Sequence, residues 1–175
     1  MKTLLLLRHA KSNWDADYAS DHERPLSKRG RSAASLMGEF LTMSDLVPDR
    51  VVSSTAIRAH KTALLAAKAG RWSCPIDTTG RLYEASPEDV LEVVRGCDDS
   101  DNQLLLAGHE PTWSESTGRL VGHAHVKFTT ATLARIDFSM ESWKQADFGR
   151  GTLVWLVTPK LLGKIGWTGQ GRGPT

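Results

Sequence analysis

Three places along the chain set charged or nucleophilic side chains directly behind an apolar run. Leu4 to Leu7 runs into Arg8-His9, Arg50 to Ser53 into Ser54 with Arg58 in the next helical turn, and Gln103 to Ala107 into Gly108-His109-Glu110. If each run is a strand of an open α/β sheet, residues just past its carboxyl end face the crevice where such sheets bind ligands. Arg8, Arg58, His9 and His109 then share one small volume, which like-charge repulsion opposes unless an anion occupies it. A phosphoryl group fits that requirement. Guanidinium forks match its oxygens bidentately, and a helix beginning near Arg58 adds backbone N–H donors. Of these side chains only histidine can also attack phosphorus near neutral pH. A phosphohistidine intermediate splits the transfer into two easier displacements, provided the second ring nitrogen donates to an acceptor that fixes the tautomer. The arginines and the other histidine would stabilise charge on the equatorial oxygens.

The elements that must position these residues are legible in the periodicity. Thr3 to Leu7 reads as a strand buried on both faces. Pro25, Leu26 and Ser27 precede a helical pattern with Ala33, Leu36, Met37, Phe40 and Leu41 on one face, Ser27 being the N-cap. Arg50 to Ser53 is a second strand, and Ala56 to Ala69 a helix stopped by Gly70. Ser86, Pro87 and Asp89 supply an N-cap, a first-turn proline and a capping-box acid for a third helix. Gln103 to Ala107 is a further strand, followed by a helix whose first residue is Pro111. Ala134, Ile136 and Phe138 alternate with polar residues, and Leu153 to Val157 ends the set, two strands with no clear helix between them. The pattern predicts a three-layer α/β/α domain around a mostly parallel central sheet.

The 175 residues suffice for one domain, and 40% hydrophobic with 24% charged residues is ordinary for a water-soluble chain. A formal net charge of +2 gives no field of the kind a nucleic-acid binder carries. Cys74 and Cys97 have no metal-ligand spacing and read as free thiols in a reducing compartment. Leu4 to Leu7 is too short for the apolar core of a signal peptide, so a cytoplasmic protein with no membrane partner is expected.

Four segments taken together, LLLLRHAKSNWD, PLSKRGRSAA, VVSSTAIRAHKTA and LLAGHEP, resemble in order and spacing the histidine phosphatase superfamily, which includes phosphoglycerate mutases and acid phosphatases. Arg-His-Ala, the short length and LYEASPEDVLEVV are most similar to its small phosphohistidine phosphatase group. The resemblance covers about residues 2–158. It implies a phosphoglycerate-mutase-like fold, no metal, and a histidine phosphatase domain over residues 1–159; residues 160–175, rich in Gly and Lys/Arg, read as a flexible tail. His9 matches the phosphorylated nucleophile, and Arg8, Arg58 and His109 match the phosphate pocket. Ala10 stands where many members have glycine, a change the smaller group tolerates. Glu84 falls in the stretch that holds the leaving-group acid of the mutases, though the surrounding motif differs.

The expected activity is hydrolysis of phosphohistidine on protein through phospho-His9, without cofactor, by a monomer or weak dimer. An imidazole leaving group has a conjugate-acid pKa of about 6.5 and needs less acid help than an alkoxide, which suits a site whose acid is undecided. No long insertion is present to form a lid, so a protein-borne substrate has access. A broad small-molecule phosphomonoesterase and a non-catalytic phospho-ligand binding module are the alternatives. Lys11 and Ser12 are placed as substrate-binding, and Asp15 and Arg24 at the rim, where Arg24 could instead pair with Asp21. Trp14 is expected to pack under the phosphate loop. His22 and His60 read as surface or helix-face histidines. His123 and His125 lack the acidic or cysteine partner a metal site needs. Gly166 to Gly173 follows no strand and reads as tail.

Overall fold

The computed structural model describes residues 1–167. Six strands, β1 (Lys2–Arg8), β2 (Arg50–Ser54), β3 (Ile76–Thr79), β4 (Gln103–Gly108), β5 (Leu133–Phe138) and β6 (Gly151–Val157), form one sheet in the order β3-β2-β4-β1-β5-β6. Strands β3, β2, β4 and β1 run parallel, and β5 and β6 close the other edge antiparallel. Among the described residues five α-helices accompany them: α1 (Lys28–Met43), α2 (Ile57–Gly70), α3 (Pro87–Arg95), α4 (Thr112–Leu120) and α5 (Pro159–Lys164).

The unbroken leucine run of β1 is explained by the two cores. Leu5 and Leu7 pack with Leu105, Ala107 and the α1 residues Ala34, Met37 and Leu41 on one face, whereas Leu4 and Leu6 pack with Leu104, Leu106, Val90, Val94 and Trp113 on the other. A strand with a helical layer on each face has no solvent side on which to place polar residues. Helices α1 and α2 approach so closely at Gly38 that a Cβ there would collide with the Ala66 carbonyl.

Local signals held at the starts of α1 and α3, whereas α4 begins at Thr112, with Pro111 as its N-cap rather than its first residue. Ser27 Oγ accepts from Gly30 N–H at 3.0 Å, and Ser86 with Asp89 forms the reciprocal capping box. Three other readings are corrected. Helix α2 continues through Gly70, and Arg71 takes the left-handed conformation (φ 56) that ends it. Strand β3, absent from the expected set, is an edge strand whose two middle residues are both exposed, so it carries no alternation. Residues 160–175, expected as a tail from composition, begin inside α5, which Leu162 anchors at 3% exposure; residues 168–175 lie outside the described residues. Cys74 and Cys97 are free. Among the described residues no helix is long and apolar enough to cross a membrane.

Candidate active site

Strand β1 delivers Arg8 and His9 to the same end of the sheet to which neighbouring β4 delivers Gly108 and His109, because Arg8 and Gly108 are register partners. His9 and His109 stand with ring centroids 5.2 Å apart. From the first turn of α2, Arg58 reaches the same cavity, of about 240 Å³, which Arg8, His9, Ser12, Arg24, Arg58 and His109 line together. The residues singled out from strand ends therefore meet, and a third arginine joins them.

The histidine tautomers follow from the hydrogen bonds. His9 Nδ1 lies 2.8 Å from the Ala10 carbonyl oxygen, an acceptor only, so Nδ1 carries the proton and Nε2 keeps its lone pair. His109 Nε2 lies 2.9 Å from Ser54 Oγ, which already accepts from Ala56 N–H. The Ser54 hydroxyl can donate to Nε2, and in that arrangement His109 Nδ1 carries a proton to donate to a ligand.

Several polar atoms around the cavity lack partners. Arg8 Nε, Ser12 Oγ, Arg24 Nε, Arg58 Nε and His109 Nδ1 are buried without a hydrogen bond, five of the ten such side-chain atoms among the described residues. Native interiors leave few groups orphaned, so a concentration at one cavity marks where an acceptor-rich ligand satisfies them. Three of the five are guanidinium nitrogens, whose positive charge favours an anion.

Burial, followed by the nearby arginines, brings the His9 pKa down to about 4, with the Ala10 bond opposing. Burial, then His9 and Arg58, brings His109 to about 3. Both imidazoles are neutral at pH 7, as a nucleophile and a neutral donor require. Because the folded state holds these pKa values below the unfolded value of about 6.5, the unfolded chain takes up protons first on acidification. Stability is therefore full above about pH 6.5 and falls toward pH 4, by at most about 1.4 kcal/mol per pH unit for each histidine. Urea unfolding between pH 7 and 4.5 measures this slope. Saturating inorganic phosphate, which favours the protonated imidazoles, should flatten it, and a curve insensitive to phosphate would contradict this account.

Asp21, in a short 3-10 turn, organises the arginines. Its carboxylate pairs with Arg24 at 2.7 Å and with Arg58 at 2.9 Å, and its carbonyl oxygen accepts a second Arg58 bond at 2.6 Å. Burial alone would raise its pKa; Arg58 and Arg24 outweigh that and hold it low. Arg24 thus fills both roles raised for it, lining the pocket and pairing with Asp21. Arg8 donates to the Phe128 carbonyl at 2.8 Å, which aims its remaining nitrogens.

Of the other expected residues, Ser12 is 5% exposed at the cavity wall, whereas Lys11 is exposed at the rim. Trp14 does not pack beneath the loop; it is 66% exposed and stacks on the Arg24 guanidinium at 3.5 Å. The buried guanidinium covers one face of the indole and leaves the other to solvent. Asp15 is exposed and is absent from the cavity wall. Glu84 is exposed in a left-handed backbone conformation (φ 52) and lines a second cavity of about 340 Å³, which shares Arg58, His109 and Glu110 with the first. Ser54, Asp21, Tyr83 and Glu110 were not anticipated as site residues; only Ser54 and Glu110 carried a signal, being sequence neighbours of motif residues. His22 pairs with Thr55 at 2.9 Å and meets the Tyr83 ring edge-on, close to the site rather than remote from it. His60, on α2, is half-buried. His123 and His125 line a different cavity with Glu115 and Arg119, and among the described residues no group of three metal-ligating side chains occurs.

Comparison with known proteins places these observations. A family model for the histidine phosphatase superfamily (branch 1) matches residues 4–93. An uncharacterized protein of Mycobacterium leprae is 30% identical over 166 residues, covering 88% of this chain and all of that protein. A 2,3-bisphosphoglycerate-dependent phosphoglycerate mutase of Clavibacter michiganensis is 38% identical over 86 residues, 47% of this chain and 34% of the mutase. Among solved structures, a candidate phosphohistidine phosphatase SixA from Agrobacterium tumefaciens superimposes with a TM-score of 0.77 at 26% identity, covering 90% of this chain and 98% of that one.

Proposed function

Since the chain belongs to the histidine phosphatase superfamily, branch 1, we propose that it hydrolyses phosphohistidine on proteins through a phospho-His9 intermediate. The observation that carries the reading is the His9 Nδ1 bond to the Ala10 carbonyl, which aims an unprotonated Nε2 into a cavity ringed by unsatisfied cationic donors. The likeness to a structure named as a SixA-type phosphohistidine phosphatase supports the substrate class.

In the first displacement, His9 Nε2 forms a bond to phosphorus while the bond from phosphorus to the leaving nitrogen breaks; the substrate ring, protonated on its other nitrogen, takes the electron pair and departs as neutral imidazole. Arg8, Arg24 and Arg58 and the His109 Nδ1 proton take the charge on the phosphoryl oxygens. In the second, water attacks phosphorus, the bond to His9 breaks with its electron pair returning to Nε2, and the water protons stay on the departing inorganic phosphate. Imidazole leaves well without strong acid assistance. An alkoxide does not, and here Glu84 matters. Its cavity adjoins the phosphoryl pocket through Arg58 and His109, so a broader phosphomonoesterase using Glu84 as leaving-group acid is the second reading.

One experiment separates them: hydrolysis of a phosphohistidine-bearing protein, p-nitrophenyl phosphate and an alkyl phosphate by wild type and Glu84→Ala. The phosphohistidine reading expects high activity on the protein that the substitution changes by less than about three-fold. A fall of about 10²-fold or more confined to the alkyl phosphate, the size of a general-acid contribution, would assign Glu84 as the acid and favour the broader enzyme. A protein that binds phosphate but turns over none of the three would be a binding module.

A further inference from the structure

The surroundings of the phosphoryl pocket are electrically lopsided. On one side lies the cavity holding Asp21, Glu84, Glu110 and Glu115. On the other, a separate cavity of about 250 Å³ is lined by Lys11, Arg29 and Lys160 together with Thr129 and Thr130, and by no carboxylate among the described residues. Lys11 and Thr130 line both this basic cavity and the phosphoryl pocket, so the two are contiguous.

The pocket arginines Arg24 and Arg58 are tied to Asp21. Lys11, Arg29 and Lys160 enter no ion pair among the described residues. Their backbones are nonetheless held. The Lys11 carbonyl accepts from Ser27 N–H at 2.9 Å and from Ser27 Oγ at 3.0 Å, and packs so tightly on Gly30 that a Cβ there would strike it. This locks the Lys11 loop to the first turn of α1, which carries Arg29. Thr158 caps α5, and Leu162 anchors it, which places Lys160. Three exposed cations on anchored backbones thus line one hollow, and among the described residues none is tied to a carboxylate, an arrangement that suits an anionic ligand.

We propose that this basic cavity recognises a second anionic group carried by the substrate beside its phosphoryl group, a carboxylate above all, while the acidic cavity turns such a group away from the opposite side. The inference rests on the phosphatase reading and narrows it to phosphorylated substrates with a flanking acid. That acid can be an Asp or Glu side chain next to the phosphohistidine or the carboxylate of a small phosphorylated acid.

The test compares two substrate pairs in wild type and in the Arg29→Ala/Lys160→Ala double variant. One pair is a phosphohistidine peptide with Asp or with Asn beside the phosphorylated residue. The other is an alkyl phosphate with or without a carboxylate. Wild type should prefer the anionic member by about ten-fold in kcat/KM, carried by KM and shrinking as salt screens the contact. The double variant should lose the preference with p-nitrophenyl phosphate hydrolysis unchanged. A preference in the peptide pair identifies a protein segment as the source, and one in the alkyl pair identifies a small acid. Equal rates within both pairs, or a preference that survives in the double variant, overturns the proposal. Should wild type hydrolyse none of these substrates, the phosphatase reading falls, and fluorescence anisotropy of the labelled peptides still decides the subsite: tighter binding of the Asp peptide, lost in the double variant, supports it, and equal binding overturns it.

Discussion

His9→Ala loses hydrolysis by about 10⁴-fold or more, because no other side chain in the pocket offers an unprotonated nitrogen to phosphorus. His109 does not substitute, because its Nε2 is engaged with Ser54. The fold survives the change. The His9 N–H donates to the Gly108 carbonyl at 2.9 Å, and its carbonyl accepts from Ala131 N–H at 3.1 Å, so the backbone bonds that hold the loop do not involve the side chain. Oxyanion affinity survives as well, since Arg8, Arg24, Arg58 and His109 remain in place. Incubation with a labelled phosphoryl donor should leave acid-labile phosphate on wild type and none on the variant. Inorganic phosphate should protect both from thermal unfolding. Retained turnover in the variant, or acid-labile phosphate on it, would remove His9 from its role.

Arg58→Ala lowers kcat/KM by about 10³-fold, the scale of losing one preorganised donor to a developing oxyanion together with its charge. Arg58→Lys restores no more than about ten-fold of that loss. The guanidinium spends one nitrogen on the Asp21 carbonyl and a second on its carboxylate, which fixes the plane of the fork. An ammonium has no plane to fix, and its charge would sit wherever Asp21 drew it. Asp21→Asn therefore weakens catalysis by a smaller factor, about ten-fold, and costs less than that once Arg58 is gone, since only its effect through Arg24 is left. Steady-state kinetics of the two single variants and the double variant measure this coupling. Additive losses would show that Asp21 works independently of the arginines.

The legible parts of this site were those where one short segment contains both the scaffold and the functional group. The strand ends at Arg8-His9 and Gly108-His109 could be recognised because β1 and β4 are buried on both faces, so their apolar runs stop abruptly at the crevice. Ser27 and Ser86 were readable as caps because a helix start is satisfied by its own neighbours in the chain. Arg58 followed from its position one turn after Ser53-Ser54. The edge strand β3 escaped notice, since four residues with one half-buried isoleucine at the start carry no period.

Pairings distant in sequence were of another kind. Asp21 meets Arg58 across 37 residues, and His109 meets Ser54 across 55. Neither spacing has a pattern, because no local periodicity links residues on separate loops. The chain by itself determined which groups could hold and attack a phosphoryl group, since side-chain chemistry and strand-end placement are local properties. Only the tertiary structure decided which nitrogen of each histidine is free, how Asp21 orients the arginines, and on which sides of the pocket the acidic and basic hollows lie. Those depend on hydrogen bonds, burial and charge summed over elements that folding alone brings together.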